Sequence, residues 1–300
     1  MSGSVLQKIR RVIFFRVAHR NLFNFVPDRT YLHLLFLLRF GTFGDFVHPV
    51  TYNEKLQWLK LNFRIEDDWK YADKFEVKEI VAELIGQEYV QQTFGVWDTF
   101  DEIDFSHLPS SFVLKTTHDS GGVVVVRNRN GIDLDEAKRL LTSSLRRDYF
   151  SPYRENHYRS VRRRIMAEEF IVDNSHNELI DYKFYCFNGK VKAIYTTQGR
   201  AEGRLKVNHF DDDFNFLDFR YPDTYPNSDS PPKRPARFKE MIHVAEKLSA
   251  GHPHVRVDLY DTSFGVRFGE LTFFPWGGFG RFSIRSWDGV FGSWLDLPKG

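Results

Sequence analysis

The stretch VRVDLYDTSFGVRFGELTFF, Val255–Phe274, decides how this chain is read. Two apolar runs are joined by a short turn containing Gly265, which is the pattern of a β-hairpin. Each run carries one acid, Asp258 in the first and Glu270 in the second. Antiparallel pairing sets such residues opposite each other across the ladder. Two adjacent carboxylates repel unless a cation lies between them, and Mg²⁺ is held by one or two carboxylates together with phosphate oxygens. Thr272 falls on the face of Glu270 and Arg256 on that of Asp258, because side chains alternate along a strand. The competing reading is a solvated sheet face; the Val, Leu and Phe content of both strands argues against it.

Two further constellations lie upstream. Phe112–His118 and Val123–Asn128 read as strands joined by Asp119-Ser120-Gly121-Gly122, with Lys115 on the first strand. Backbone N–H groups in a Gly-rich turn cradle phosphate, and a lysine beside them supplies a point charge. No GK[ST] follows, so this is not a Walker A loop, and an ordinary hairpin tip is the competing reading. Next comes the strand Ile165–Ile171, which carries Glu168 and Glu169, followed by Asp181 and Lys183 in a strand entering the Asn188-Gly189 turn. An apolar strand ending in acids can offer backbone groups to an adenine edge and a carboxylate to ribose hydroxyls; plain strand-edge charges are the alternative.

Helices are expected from a capping box at Thr51–Glu54, over Asp73–Ile85, over Asp133–Asp148 and over Phe238–Gly251. The fold class is therefore α+β with mostly antiparallel strands. The chain has 300 residues, enough for a sizeable core. Its 42 basic and 40 acidic residues nearly cancel, which argues against nucleic acid as a partner. A single cysteine, Cys186, rules out an internal disulfide framework and fits a reducing, cytoplasmic setting.

The N-terminal end stands apart. Within residues 1–50, seven basic residues face two acids, a local charge of +5. Val5, Ile9, Val12, Ile13 and Val17 form a helical stripe with the arginines largely off it. Either this helix packs its stripe on the body or it rests on anionic lipid, giving residues 1–45 a peripheral contact with the inner membrane face. Tyr31–Phe40, YLHLLFLLRF, is too short to cross a bilayer. Arg154, Arg159, Arg162, Arg163 and Arg164 read as a solvated basic helix, or else as a binding site for an anionic sugar or phosphate. Phenylalanine, 30 residues in all, forms one cluster in Phe14–Phe46 and another in Phe264–Phe282, and Phe274 and Phe279 are expected to wall a reaction site from water.

Taken in order, TYNEKLQWLKL, GVWDTFDEIDF, FVLKTTHDSGG, MAEEF, DYKFYCFNGK, VRVDLY and FGELTFFPWGGFG resemble the TupA-like branch of the ATP-grasp proteins, found with bacterial surface-polysaccharide genes. The resemblance runs from about Tyr52 to Phe279. It implies an ATP-grasp fold of two α+β subdomains gripping a nucleotide: a basic, helical N-terminal region over 1–93, a lid subdomain over 94–164 and a metal-binding subdomain over 165–300. It implies ATP and Mg²⁺ as cofactors. Lys115 would contact the α and β phosphates, Ser120, Gly121 and Gly122 would fold over the triphosphate, and Lys74 or Lys78 would be the earlier nucleotide lysine. Glu168, Glu169, Phe170 and Ile171 would form the adenine hinge, with Asp181 on the ribose. Lys183 and Arg256 would face phosphate or substrate, and Asp258, Glu270 and Thr272 would hold Mg²⁺. Thr272 stands where the wider superfamily has Asn. The implied activity is carboxylate–amine ligation through an acyl phosphate, with a glycan or glycolipid acceptor and a small amine donor. A glycosyltransferase holding a nucleotide sugar, with a sugar as donor, and a kinase are the alternatives.

Overall fold

Two antiparallel sheets, each with helices on it, make up the chain, whose computed structural model describes residues 3–19, 23–171, 179–199, 203–223 and 225–299. The smaller sheet has the order β1 (Thr93–Trp97), β4 (Ile165–Glu168), β2 (Phe112–Thr116), β3 (Val123–Val126). Phe112, Leu114, Ile165 and Ala167 share one face and bury against Ala137 and Leu141 of α6 (Leu134–Leu145). Alternation sends Lys115 and Glu168 to the opposite face. The Asp133 side chain caps α6 by accepting from the Glu136 amide.

The larger sheet runs β10 (Gly265–Thr272), β9 (His254–Thr262), β5 (Asp181–Phe187), β6 (Lys190–Gln198), β7 (Lys206–Asp211), β8 (Phe216–Leu217). Tyr182, Phe184, Val257, Leu259 and Phe268 cover one face and pack on α5 (Val77–Ile85) and α7 (Phe238–Leu248). The other face is divided. Tyr185, Phe187 and Tyr195 bury against α3 (Tyr52–Asn62) and α8 (Ser286–Trp294), while Asp181, Lys183 and Asp258 occupy the rest. The capping box expected at Thr51–Glu54 is present, with Thr51 accepting from the Glu54 amide. The Asn188-Gly189 turn closes β5 onto β6, both residues taking positive φ.

Several expectations are corrected here. The strand read as Ile165–Ile171 ends at Glu168, and it belongs to the smaller sheet, so the passage between sheets falls after Glu168 and not at 164. The helix read from Asp73 begins instead at Val77, as α5, and a separate short helix, α4 (Asp68–Ala72), precedes Asp73, whose carboxylate accepts from the Phe75 and Glu76 amides in the turn between them. Arg154–Arg164 is irregular chain and a short 3₁₀ turn. Arg154 is buried there, 3.0 Å from Asp28 and stacked over Tyr31, so it ties this segment to α2 (Asp28–Phe40). Arg162 pairs with Asp98 at 2.6 Å and Arg164 with Asp73 and Glu76 at 2.9 and 2.8 Å. In α1 (Gly3–His19) the buried residues are Phe14 and Ala18, not Ile9, Val12 and Ile13. Phe279 is buried with Phe14 and Phe36 in the N-terminal helical core, so it walls no site; Phe274 lines a small cavity with Lys60 and His157.

Four histidines are sealed in these cores. Burial holds His157, His209 and His254 down at about 3 and His252 at about 4, against an ordinary 6.5. Their folded pKa values lie below the unfolded one, so stability is complete above pH 6.5 and falls as the unfolded chain takes up protons below it. Replacing His209, packed between Tyr195 and Phe219, by Leu should remove up to about 1.4 kcal/mol per pH unit from the acid-side slope of stability. Urea unfolding at a series of pH values measures this, and an unchanged slope would contradict a neutral, buried His209.

Candidate active site

The polar part of the larger sheet is built by alternation and one irregularity. On β9, Val255, Val257 and Leu259 enter the apolar core, leaving Arg256 and Asp258 on the opposite face. On β10, Val266 and Phe268 enter the core, and so does Leu271. That odd step is a β-bulge: Phe268 pairs with Leu259 and Glu270 with Asp258, so Gly269 is the extra residue. Without it Glu270 would share the core face of Phe268. The bulge returns Glu270 and Thr272 to the face of Arg256 and Asp258. A Cβ at Gly269 would stand 3.0 Å from the Asp258 carbonyl oxygen, which suits glycine at this close approach.

Charges on this face are tightly interlocked. Arg256 donates to Asp258 Oδ1 from Nε at 2.7 Å and to Oδ2 from Nη2 at 2.8 Å, and the same Nη2 reaches Glu270 Oε1 at 2.8 Å. Lys183, directly opposite Asp258 on β5, donates to its Oδ2 and lies 3.5 Å from Asp181. Thr197 donates to Asp181 at 3.2 Å. Thr272 Oγ1 is 3.4 Å from Glu270 Oε1. Burial pushes the Asp258 carboxyl up, with Arg256 and Lys183 pulling the other way. Burial pushes Glu270 up too, but Arg256, Lys183 and Lys74 outweigh it and hold its pKa at about 2. The Glu270 side chain is 41% exposed, whereas that of Asp258 is 2% exposed. Glu270 is thus the acid of this group that opens outward.

The smaller sheet supplies the facing half. Lys115 pairs with Glu168, and Lys78 of α5 reaches the same carboxylate at 2.8 Å while also donating to the Gln91 carbonyl oxygen and Thr93 Oγ1. Both lysines and Glu168 are largely buried. Lys74, in the turn before α5, donates to the Asp119 carbonyl oxygen at the Gly-rich turn. Burial pushes Lys74 down, Glu270 pulls it up and Lys115 pushes it down further. Lys74 is therefore the electrostatic link between the two halves. Both candidate lysines, Lys74 and Lys78, enter the site in different places: Lys78 at Glu168, Lys74 at the turn.

The turn itself is anchored. Asp119 is buried and accepts from Thr116 and Ser144, with Arg147 at 3.3 Å. Gly122 is packed so closely that a Cβ would stand 2.1 Å from Ser144 Oγ and 2.2 Å from Thr116 Oγ1. Ser120 and Gly121 stay exposed, Gly121 at φ +99°. Beyond β4, Glu169 is exposed and its N–H donates to the Gln92 carbonyl oxygen at 2.9 Å. Phe170 lies under Arg127 at 5.5 Å, and Phe170 and Ile171 are half-buried. The Glu169 amide is thus taken up by Gln92, while its carboxylate adds to the negative charge acting on Lys78.

Sequence reasoning gave no role to a buried group beside this site. Lys60 is buried on α3, over the rings of Phe274 and Phe279, and donates to Gln57 at 3.0 Å. Burial lowers Lys60 to about 7, and burial raises Glu155 to about 7, each opposed by the other's charge. Tyr149, buried beside Ser120, feels both Glu155 and Glu270. The signal that could have revealed this group is the polar cluster Arg154–Tyr158 in an otherwise aromatic segment.

A sequence model described as TupA-like ATPgrasp matches residues 54–296. The chain belongs to the TupA-like ATP-grasp family. No curated protein matches the sequence. Among solved structures, similar folds include a D-alanine–D-alanine ligase from Bacillus anthracis (15% identity, 68% of this chain and 57% of that one, TM-score 0.37). Others are the D-alanine–D-alanine ligase of Helicobacter pylori (15%, 82% and 69%, TM-score 0.41) and an ATP-grasp RimK domain protein from Sphaerobacter thermophilus (14%, 82% and 72%, TM-score 0.41). The chain spans a little over half the length of the Bacillus anthracis structure.

For this ATP-grasp chain the donor chemistry at β9 and β10 fits Mg²⁺ in one specific way. Glu270 and Thr272 carry hard oxygen donors, the kind Mg²⁺ takes, on the face they share with Asp258, whose two carboxylate oxygens are already engaged by Arg256 and Lys183. Among the described residues no group of three or more His, Cys, Asp or Glu side chains could hold a metal by itself.

The ion pairs make a stability prediction. Arg256→Met would leave Asp258 buried with only Lys183 opposite it, and should cost about 3 kcal/mol or more. The double variant Arg256→Met with Asp258→Asn should lose less than the two single losses added together. Urea denaturation of the four proteins measures this, and simple additivity would contradict the pairing.

Proposed function

We propose that this chain is an ATP- and Mg²⁺-dependent carboxylate–amine ligase, acting on a glycan or glycolipid carboxylate with a small amine as second substrate, in bacterial surface-polysaccharide synthesis. One observation carries the reading: Lys74 donates to the Asp119 carbonyl oxygen at the Gly-rich turn, beside the paired Lys115 and Glu168 of the smaller sheet and Lys78 of α5, while Arg256 on the larger sheet joins the buried Asp258 to the open Glu270. A continuous run of cations and acids beside a Gly-rich turn suits a nucleoside triphosphate. Phosphoryl transfer to a substrate carboxylate needs no nucleophile from the protein.

The substrate carboxylate attacks the γ-phosphorus, the bond to the β–γ bridging oxygen breaks, and ADP leaves. The amine then attacks the acyl carbon of the acyl phosphate, phosphate departs and the amine proton is lost, leaving an amide. Lys115 and Lys74 bind phosphate oxygens, and Ser120 to Gly122 close over them with backbone N–H groups. The hinge after β4, Glu168 to Ile171, receives the base, and Asp181 the ribose. Glu270, with Asp258 and Thr272, would hold Mg²⁺, which neutralises charge on the phosphates when bound. Arg256 and Lys183 hold these acids ionised and oriented, and present positive charge towards the acyl centre.

Mg-ATP should raise the melting temperature of the wild-type protein, since a ligand at about 100 times its Kd stabilises by about 2.7 kcal/mol. Lys115→Ala and Glu270→Ala should each abolish the shift while circular dichroism reports the native fold. Phosphate release in the presence of uronic acids and amines, with an amide product, completes the test. A shift with nucleotide sugars and none with ATP would favour a glycosyltransferase, and a stable phosphorylated product without amide would favour a kinase.

A further inference from the structure

The first helix turns the wrong face outward for a helix that only packs on its own protein. Phe14 and Ala18 of α1 are 2% and 1% exposed and meet Tyr31, Leu35 and Phe36 of α2. On the side away from them, Leu6 is 49% exposed, Ile9 42%, Val12 50% and Ile13 42%. The spacing of Leu6, Ile9 and Ile13 is that of one helical stripe. The charge on this helix has one sign. Lys8, Arg10, Arg11 and Arg16 meet no acid within Gly3–His19. At helical spacing Arg16 continues the line of Ile9, Val12 and Ile13 at its C-terminal end and Lys8 flanks Val12, while Arg11 falls on the side of Phe14 and Ala18 and lies over the Phe15 ring at 6.0 Å. The chain that follows adds Phe25, 84% exposed.

Exposed aliphatic and aromatic side chains flanked by cations are costly in water and matched to a lipid interface. There the apolar groups enter the acyl boundary and the cations meet anionic headgroups. Among the described residues no helix is long and apolar enough to cross a membrane, so the contact is one of lying on the surface. We infer that α1 docks the protein in-plane on an anionic bilayer, through Leu6, Ile9, Val12 and Ile13, with Lys8 and Arg16 on the headgroups. This places the chain at a lipid surface, whatever reaction it catalyses. A protein helix as the occupant would need acidic complementarity and would be expected to show as a change of oligomeric state.

Sedimentation of the full chain with vesicles tests the inference. Binding is expected to phosphatidylcholine vesicles containing phosphatidylglycerol, weaker binding to phosphatidylcholine alone, and loss of binding as salt rises. Ile9→Asp with Ile13→Asp, and separately Lys8→Glu with Arg16→Glu, should each lower partitioning about tenfold or more. All these positions are exposed, and the melting temperature reports whether each variant keeps the wild-type fold. Phe25→Ser, outside the helix, serves as a second apolar probe and should lower binding by a smaller factor. No binding by the wild type, equal binding by folded variants, or an oligomer that the Ile9/Ile13 variant dissolves without any vesicle binding would each overturn it.

Discussion

The carboxylate of Asp258 is almost wholly buried, and the surrounding architecture answers to that fact. A buried charge persists only with partners in good geometry. Arg256 supplies two donors from the same strand and Lys183 a third from the neighbouring one. Those partners exist because β5 pairs with β9 in the register that sets Lys183 opposite Asp258. A slip of one residue would send Lys183 into the apolar face beneath α5 and α7. Register, core and site are thus one constraint seen from two faces of a sheet.

The Gly269 bulge is what makes this face a site as well as a buried ion pair. It adds an outward-opening acid, Glu270, to a cluster that would otherwise be closed on itself. Arg256 bridges the buried acid and the open one. Residues that hold the sheet together therefore also set the ionisation of the acid that faces outward. Lys74 extends the same field to the other sheet, from a turn whose geometry Asp73 fixes and whose far contact is the Gly-rich turn. The elements that position charge are short turns and one bulge, braced by helices that bury their opposite faces.

At the N-terminal end the balance differs. α1 buries only a narrow strip, and α2 supplies most of the apolar contact there. Arg154 reaches from the middle of the chain to Asp28 and Tyr31, which fastens α2 to the body beside Glu155 and Lys60. A residue type that reads as solvated surface is here a bolt, because stacking on an aromatic ring and a paired carboxylate together compensate its desolvation. α1 and α2 are thereby fastened to the body, and the charged groups named in the site come from α3 onward.

Much was determined by the amino-acid order alone. Turn residues and local periodicity fixed the hairpin around Asn188-Gly189, the capping box at Thr51 and the strand–turn–strand that carries Lys115; they also gave the hairpin of Asp258 and Glu270, but regular alternation would set Asp258 opposite Gly269, and only the bulge sets it opposite Glu270. These depend on neighbours within a few residues, where propensity and periodicity act. The family words covered the rest of the fold. Only the tertiary structure decided that Lys78 and Lys115 share Glu168, that Arg256 bridges both acids, that Arg154 is buried, and which face of α1 meets the protein. Each of these joins residues far apart in the chain, and whether a charged or apolar side chain is buried depends on what packs against it. The apolar stripe of α1 was legible as a stripe; that it faces outward was not, because periodicity gives the existence of a face and only packing gives its direction.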